Sequence, residues 1–457
     1  MKIRLFQSYQ GDCLLIEAAS GHRMLCDGGT GAAMRDFVAP SLERLARDDA
    51  MLDLVYVSHI DDDHLGGILA MLEAALEWKV YDYHAERGDP PAKPASRRVP
   101  RIGALWHNAF HDQIGANAGA IHSLLAASAR ALRASHVEPL EVLGREYARI
   151  ANSVPQALRV SRLVKADLLD IPLNPPLGEV VTPASASASA SASASASASA
   201  SAGKLIIARP DAAAQSLGSL RIRVLGPTAA ELKRLREGWN HWLRDPANRL
   251  RAQAIRDRYA SGLLAMAGGR ADDPFDLREW EGTPSYQGVT TPNIASLILL
   301  VEEEDRRVLL TGDAHPDMIL AGLKQAELLR DGALHVDVLK VQHHGSEHNM
   351  SPAFCRTVSA DHYLFCSNGA HTNPELTVLD ALLAARVGSA EQRARAPEAE
   401  SRPFTFWFNT TAAAQTQQSH IAHMERVQRW ADAALRKHGP RLRVRFVEGA
   451  YASLTLR

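Results

Sequence analysis

No run of about eighteen consecutive apolar residues occurs in this chain, so the sequence offers no membrane-spanning helix. Cysteine is scarce. The four present, Cys13, Cys26, Cys355 and Cys366, sit in apolar, strand-like surroundings without C-x-x-C spacing and read as small buried hydrophobes in a reducing compartment. Charge of one sign is also missing. A net charge of −1 gives no global electrostatic pull toward nucleic acid or membrane. The first residues, Met1-Lys2-Ile3-Arg4-Leu5-Phe6, form a short strand pattern rather than a charged region followed by an apolar core, so no signal peptide is read. These absences point to a cytoplasmic protein with no membrane partner. At 457 residues and 46% apolar, the chain is long enough to bury a sizeable core.

What the chain does have is a dense polar cluster directly behind the apolar run Leu54–Val57. Ser58-His59-Ile60-Asp61-Asp62-Asp63-His64-Leu65-Gly66-Gly67 places two imidazoles and three carboxylates within six residues, 59 to 64. Like charges this close repel and raise each other's pKa unless a cation neutralises them. The pattern H-x-D-x-D-H therefore reads as a metal site, and as a dinuclear one. An acidic, solvated loop is the plainer reading, and the rest of the chain argues against it. Three further strand patterns deliver donors at a turn: Arg23–Cys26 ending in Asp27-Gly28-Gly29, Val308–Thr311 ending in Gly312-Asp313, and Val336–Gln342 ending in His343-His344-Gly345-Ser346. Metal sites are commonly built in this way, on loops at one edge of a sheet sandwich.

The ordered set D-G-G, S-H-x-D-x-D-H-x-G-G, N-x-x-S-L, L-L-T-G-D and L-K-V-x-H-H-G-S resembles the metallo-β-lactamase fold, within it the soluble hydrolase domain of ComEC-type DNA-uptake proteins. The motifs run in family order from Asp27 to Ser346, with a long insertion between the second and third. The resemblance implies an α/β fold, an αββα sandwich interrupted by a large, mostly helical or irregular insertion. It implies His59 and Asp61 on one metal, Asp63 and His64 on the other, Asp313 bridging both and His344 completing the second site. His344 is preferred to His343 because the ligand in this fold stands immediately before a glycine; His343 then faces the ligands or the substrate. Asp27 is expected to orient ligands by hydrogen bonding.

Two departures from the common family pattern matter. Asp61 stands where many members have histidine, and Asn293 stands where they supply another histidine ahead of the next strand's serine. Both make the first site richer in oxygen, which moves the preference from zinc toward manganese without excluding zinc. His107, in Leu105-Trp106-His107-Asn108, is an alternative source of the missing imidazole. Two ions bridged by Asp313 would hold a hydroxide, with Asp63 beside it, for in-line attack on a phosphodiester. His371, in Asn368-Gly369-Ala370-His371-Thr372-Asn373-Pro374, resembles the G-H-P segment that follows the last ligand in this branch and is the candidate general acid or phosphate contact.

The expected organisation is a first part of the fold over 1–78, an insertion over 79–217 and a second part over 218–457. The insertion contains a strict Ala-Ser alternation, Ala184–Ala202, read as a solvated linker because neither face is apolar enough to bury. Residues 221–258 hold ten arginines and lysines against four acids, interleaved with Trp239, His241 and Trp242. They belong to a basic helical segment over 229–266, with Arg244, Arg249 and Arg251 as candidate nucleic-acid contacts. A nuclease acting on DNA or RNA is the first functional reading. A small-molecule phosphodiesterase, for cyclic nucleotides or phosphorylcholine-type esters, is the second, and a metal-stabilised regulatory module the third. Free-standing members of this branch resemble effectors of bacterial defence (antiviral) systems, some encoded near proteases. The Ala-Ser tether is therefore a candidate for restraint by a regulatory protein or release by a protease.

Overall fold

The computed structural model describes residues 1–108, 156–177, 205–210, 212–233 and 296–456. Among the described residues, fourteen strands form two sheets. The first contains β1 (Lys2–Phe6), β2 (Leu14–Glu17), β3 (Arg23–Cys26), β4 (Leu54–Tyr56), β5 (Leu105–Trp106) and β14 (Tyr451–Thr455), in the order β14-β1-β2-β3-β4-β5. The second contains β6 (Gln215–Leu217), β7 (Leu220–Gly226), β8 (Ile298–Glu303), β9 (Arg306–Leu310), β10 (Leu334–Lys340), β11 (Val358–Phe365), β12 (Phe404–Phe408) and β13 (Leu442–Phe446), in reverse sequence order from β13 to β6. Each sheet is antiparallel on one side and parallel on the other: β3–β4–β5 and β9 through β13 are the parallel runs.

Three apolar layers hold the sheets and helices together. Alternating residues of both sheets, among them Met24, Cys26, Leu54, Tyr56, Leu299, Val301, Val338 and Leu364, meet in one buried cluster between the sheets. Leu25 and Val55 point the other way, onto the helices Ala39–Arg47 and Asp62–Ala85. Leu300, Leu309, Phe404 and Phe406 do the same for the second sheet, against the helices Pro316–Gln325, Leu376–Val387 and Gln418–His438. Strands covered on both faces favour apolar residues at successive positions, and Ile298–Val301 of β8 is such a run, whereas β10 is largely buried yet carries His335, Asp337 and Lys340. The fold is an αββα sandwich. All four cysteines are buried, and burial pushes each thiol up in pKa, so they behave as inert core residues.

The strand patterns read from the sequence recur within about three residues of their expected ends, except that the pattern at His362–Ser367 predicts a strand that begins four residues earlier, at Val358. The residue pattern behind the H-x-D-x-D-H segment predicts a helix over Leu65–Glu77, and the helix found there is longer, Asp62–Ala85. An amphipathic pattern likewise predicts a helix over Met34–Arg47, which is divided, with a π-helical turn at Met34–Val38 ahead of Ala39–Arg47. Within the stretch set apart as an insertion, β5 joins the edge of the first sheet, and Ala157, Val160, Leu163 and Ile171 enter its helix-side core. The Ala-Ser tract and the helical periodicity near 116–151 lie outside the described residues.

Candidate metal centre

The C-terminal ends of β3, β4, β9 and β10 lie at one edge of the sandwich, and each opens into a polar turn. After β4, Asp61 is extended and starts the helix Asp62–Ala85, with Asp62 and Asp63 in its first turn, where carboxylates favour the positive end of the helix dipole. The Asp27-Gly28-Gly29 turn presses against that helix. Gly28 N–H donates to His64 O at 2.9 Å and Gly67 N–H to Gly29 O at 2.9 Å. A Cβ on Gly28 or Gly67 would overlap the other backbone, so the paired glycines of both motifs are a packing requirement. This contact sets Asp27 beside His64. One Asp27 oxygen accepts Ser58 N–H at 2.7 Å; the other accepts Ser58 Oγ–H at 2.7 Å and lies 3.0 Å from His64 Nδ1.

The second sheet supplies the remaining donors. Gly312 adopts left-handed backbone (φ 51) to turn Asp313 inward, and His343, His344 and Gly345 form three consecutive left-handed residues (φ 47, 56 and 87). Such backbone is costly for residues with a Cβ and persists only where the surroundings enforce it. Here His343 N–H donates to Gly312 O at 3.2 Å. Asn349 donates to Asp313 O at 3.0 Å, and its carbonyl oxygen lies 2.5 Å from His343 Nδ1. His344 Nδ1 lies 2.9 Å from Cys366 O.

These contacts leave the Nε2 atoms of His59, His64 and His344 converging on Asp313. His64 Nε2 is 3.4 Å from Asp313 Oδ1, while His344 Nε2 and His59 Nε2 are 3.4 and 3.6 Å from Oδ2. Asp61 lies 3.8 Å from His59 Nε2; Asp63 lies 3.4 Å from His344 Nε2 and 4.0 Å from His64 Nε2. Hydrogen bonds are shorter than this. Two donors each about 2.1 Å from one tetrahedral ion stand about 3.4 Å apart, so the spacing suits ligands around shared cations. His59 Nε2, Asp61 Oδ1 and Asp313 Oδ1 are buried without a hydrogen-bond partner among the described residues, as metal ligands would be. The donor set fits divalent metal.

The opposite, Nδ1 side is built differently. Asp12 Oδ1 lies 3.3 Å from His344 Nδ1, and its other oxygen touches the ammonium of Lys340, which also donates to Gly312 O at 3.0 Å and lies 3.6 Å from Asp313 Oδ1. Burial works to lower the Lys340 pKa, but Asp12 and Asp313 outweigh it and raise the value above that of an ordinary lysine. Burial likewise opposes charge on His64 and His344, yet the neighbouring carboxylates, Asp313 foremost, hold both imidazoles well above the ordinary histidine value. Burial also resists charge on Asp313, and the four surrounding imidazoles nevertheless keep its carboxyl well below the ordinary range.

The structure thus brings together His59, Asp61, Asp63, His64, Asp313 and His344, with Asp27 behind His64. His343 is partly exposed, its Nε2 3.8 Å from Asp313. His371 is exposed on the turn Ala370–Thr372, in a loop tied to the His344 turn by Glu375 N–H to Gly345 O at 3.0 Å. His107 is buried at the end of β5 and joins neither donor cluster. Burial pushes it down to about 4, and both ring nitrogens lack a hydrogen-bond partner among the described residues. Asn293, Arg244, Arg249 and Arg251 lie outside the described residues. Sequence reasoning missed Asp12 and Lys340. Gly11-Asp12 repeats the glycine–carboxylate pair of Gly312-Asp313, but at the entry to a strand rather than its exit, and Lys340 interrupts an apolar run.

The metallo-beta-lactamase superfamily model matches residues 8–121, a stretch that includes Asp12, Asp27 and the whole H-x-D-x-D-H segment. The chain carries a metallo-β-lactamase superfamily domain. Members of this superfamily are generally metal-dependent hydrolases, and the His/Asp clusters at the sheet edge agree with that activity. Asp313 and His344 lie beyond the matched residues, and folding carries them to the metallo-β-lactamase motif. No curated protein matches the chain. No helix among the described residues is long and apolar enough to cross a membrane.

Proposed function

We propose that the protein is a phosphodiester hydrolase using two divalent ions, Mn²⁺ or Zn²⁺, and that its substrate is DNA or RNA. The observation that carries the reading is that Asp313 lies 3.4 to 3.6 Å from the inward nitrogens of His59, His64 and His344, within reach of the donors of both proposed ions. His59 and Asp61 would hold one ion and Asp63, His64 and His344 the other, with Asp313 common to both. The buried carboxylates of Asp12, Asp27, Asp61, Asp63 and Asp313 outnumber the one buried ammonium beside them, Lys340, an excess of acid that suits bound cations. When bound, such a pair acidifies a water and stabilises both the attacking and leaving oxygens of an in-line displacement.

The chain's own residues do the rest. Asp27 and Cys366 O hold the His64 and His344 rings so that Nε2 faces inward. His371, exposed on its turn, is assigned protonation of the leaving oxygen, and His343 contact with the scissile phosphate. The nucleic-acid assignment rests on the basic, tryptophan-bearing stretch 221–258. A ComEC-like, restrained defence effector fits the long segment between catalytic strands: cleavage within Ala184–Ala202 should then raise activity, and full activity of the intact chain would remove the restraint.

Labelled single-stranded DNA, duplex DNA and RNA, run beside bis-p-nitrophenyl phosphate and cyclic nucleotides with Mn²⁺, test the substrate. Turnover of the small esters alone would replace nuclease by small-molecule phosphodiesterase. Replacing Arg244, Arg249 and Arg251 by Ala should weaken nucleic-acid binding and flatten its salt dependence while sparing small-ester turnover. Equal loss on both substrates would make the stretch structural.

A further inference from the structure

His64 and His344 each offer two nitrogens, and the protein surrounds both sides with acids. On the Nδ1 side, Asp12 lies 3.3 Å from His344 and 3.7 Å from His64. Donor atoms of these three buried residues lie within 4.8 Å of one another. One carboxylate and two imidazoles make a plausible zinc site by ligand type alone. It competes directly with the Nε2 side, because an imidazole that gives its Nδ1 lone pair to a cation presents N–H, not a lone pair, at Nε2.

What distinguishes the two sides is how closely Lys340 approaches the acid on each. Its ammonium, 2% exposed, touches Asp12 and is fixed by Gly312 O, whereas it stands 3.6 Å from Asp313 Oδ1. We propose that the Lys340 ammonium takes the place of a metal ion at the Asp12–His64–His344 side, so that divalent ions are directed to the Nε2 side alone. A divalent ion beside Asp12 would stand within a few ångströms of a like charge in a buried setting, where repulsion is screened little. The ammonium also meets one Asp12 oxygen, which leaves His64 Nδ1 facing Asp27 and His344 Nδ1 facing Cys366 O as donors and each Nε2 as the lone pair. Lys340 is thus a positioning residue. The consequence for catalysis rests on the Nε2 side being the working metal site; the occupancy of the Nδ1 side does not.

The test compares Lys340→Gln with the charge-balanced pair Asp12→Asn/Lys340→Gln in the full chain. Bound zinc per chain is measured after equilibrium dialysis, with affinity read by chelator competition. Lys340→Gln should hold one more zinc than the parent and bind the original ions roughly ten-fold more weakly. The double variant, which removes both charges together and so leaves no unpaired buried ion, should return to the parental count. If Lys340→Gln folds only with zinc, while the double variant folds without it, the proposal also holds. An unchanged count and affinity in Lys340→Gln, an extra ion retained by the double variant, or a Lys340→Gln chain that zinc does not restore would overturn it. The two readings fail separately. A parent that binds no divalent ion beside a Lys340→Gln variant that binds one sinks the dinuclear reading alone. Two ions in both, at equal affinity, sink only the role of Lys340.

Discussion

The two sides of His64 and His344 are lined by the same residue types and built for opposite ends. On the Nε2 side, Asp61, Asp63 and Asp313 stand at ligand spacing, and several buried lone pairs have no protein donor. On the Nδ1 side, both Asp27 oxygens and one Asp12 oxygen are met by a backbone N–H, a hydroxyl and an ammonium, and only Asp12 Oδ1 lacks a hydrogen-bond partner among the described residues there. Carboxylate density alone therefore does not make a metal site. A buried acid whose charge the protein already answers is scaffold, and one whose charge it leaves unanswered is a ligand.

The sharpest way to break this contrast is Asp313→Ala. It removes the carboxylate assigned to both proposed ions, so bound metal should fall for both and hydrolysis by at least about 100-fold, beyond the usual effect of an outer ligand partner. Elemental analysis and turnover check it together. Loss of activity with full metal content would mean that Asp313 acts on substrate instead. Chelation of the parent should have a matching thermal signature. At free metal about 1,000-fold above Kd, bound ion stabilises the fold by about 4 kcal/mol, and the melting temperature should drop when that is withdrawn.

Asp27→Asn should do less. It keeps the volume and one acceptor but weakens the hold on His64 Nδ1, and the expected cost is about 10- to 100-fold in metal affinity with the fold retained. An effect as large as that of Asp313→Ala would place Asp27 among the ligands and erase the distinction between the sides.

The smallest effect is a difference in pH slope. With metal withdrawn, His64 and His344 sit well above the ordinary 6.5, since Asp313 and its neighbours outweigh burial. A raised folded-state pKa contributes stability that is fully present below the unfolded value and is lost as pH climbs through the folded one. The metal-free protein should therefore lose stability from near neutrality into the alkaline range. Metal binding releases the same protons, so apparent affinity should rise over that window. At the acid end, Asp313, held below the ordinary 3.8 by the imidazoles against burial, stabilises the fold above that value and stops doing so as pH falls through its own. Melting curves from roughly pH 5 to pH 9, with and without chelator, should diverge with opposite slopes near and above neutrality. Parallel curves would show that these imidazoles do not exchange protons for metal.

Much of the architecture was legible because successive apolar residues mark a strand covered on both faces, as in β4 and Ile298–Val301 of β8, and alternation marks a strand covered on one, as in β1. Their polar ends stood out for the converse reason, since charge directly after such a run has no place in a core. β5 escaped notice. It is two residues long, and its place beside β4 rests on backbone pairing rather than on any side-chain pattern. The helices Pro316–Gln325 and Leu376–Val387 were also missed; the latter is apolar on most sides and lacks the one-sided period of a surface helix.

Sequence alone picked out most of the polar residues that meet at this edge, though not Asp12 or Lys340, because four donors within 59–64, a carboxylate behind Gly312 and paired histidines before Gly345 are local patterns that survive without a fold. Which nitrogen of each histidine faces which acid was decided only in three dimensions. Ring orientation depends on what meets the second nitrogen, and those partners, Asp27, Asp12, Cys366 O and Lys340, come from segments remote in the chain and from both sheets. A one-dimensional pattern carries the chemistry of a side chain; the direction in which that chemistry points is a property of packing.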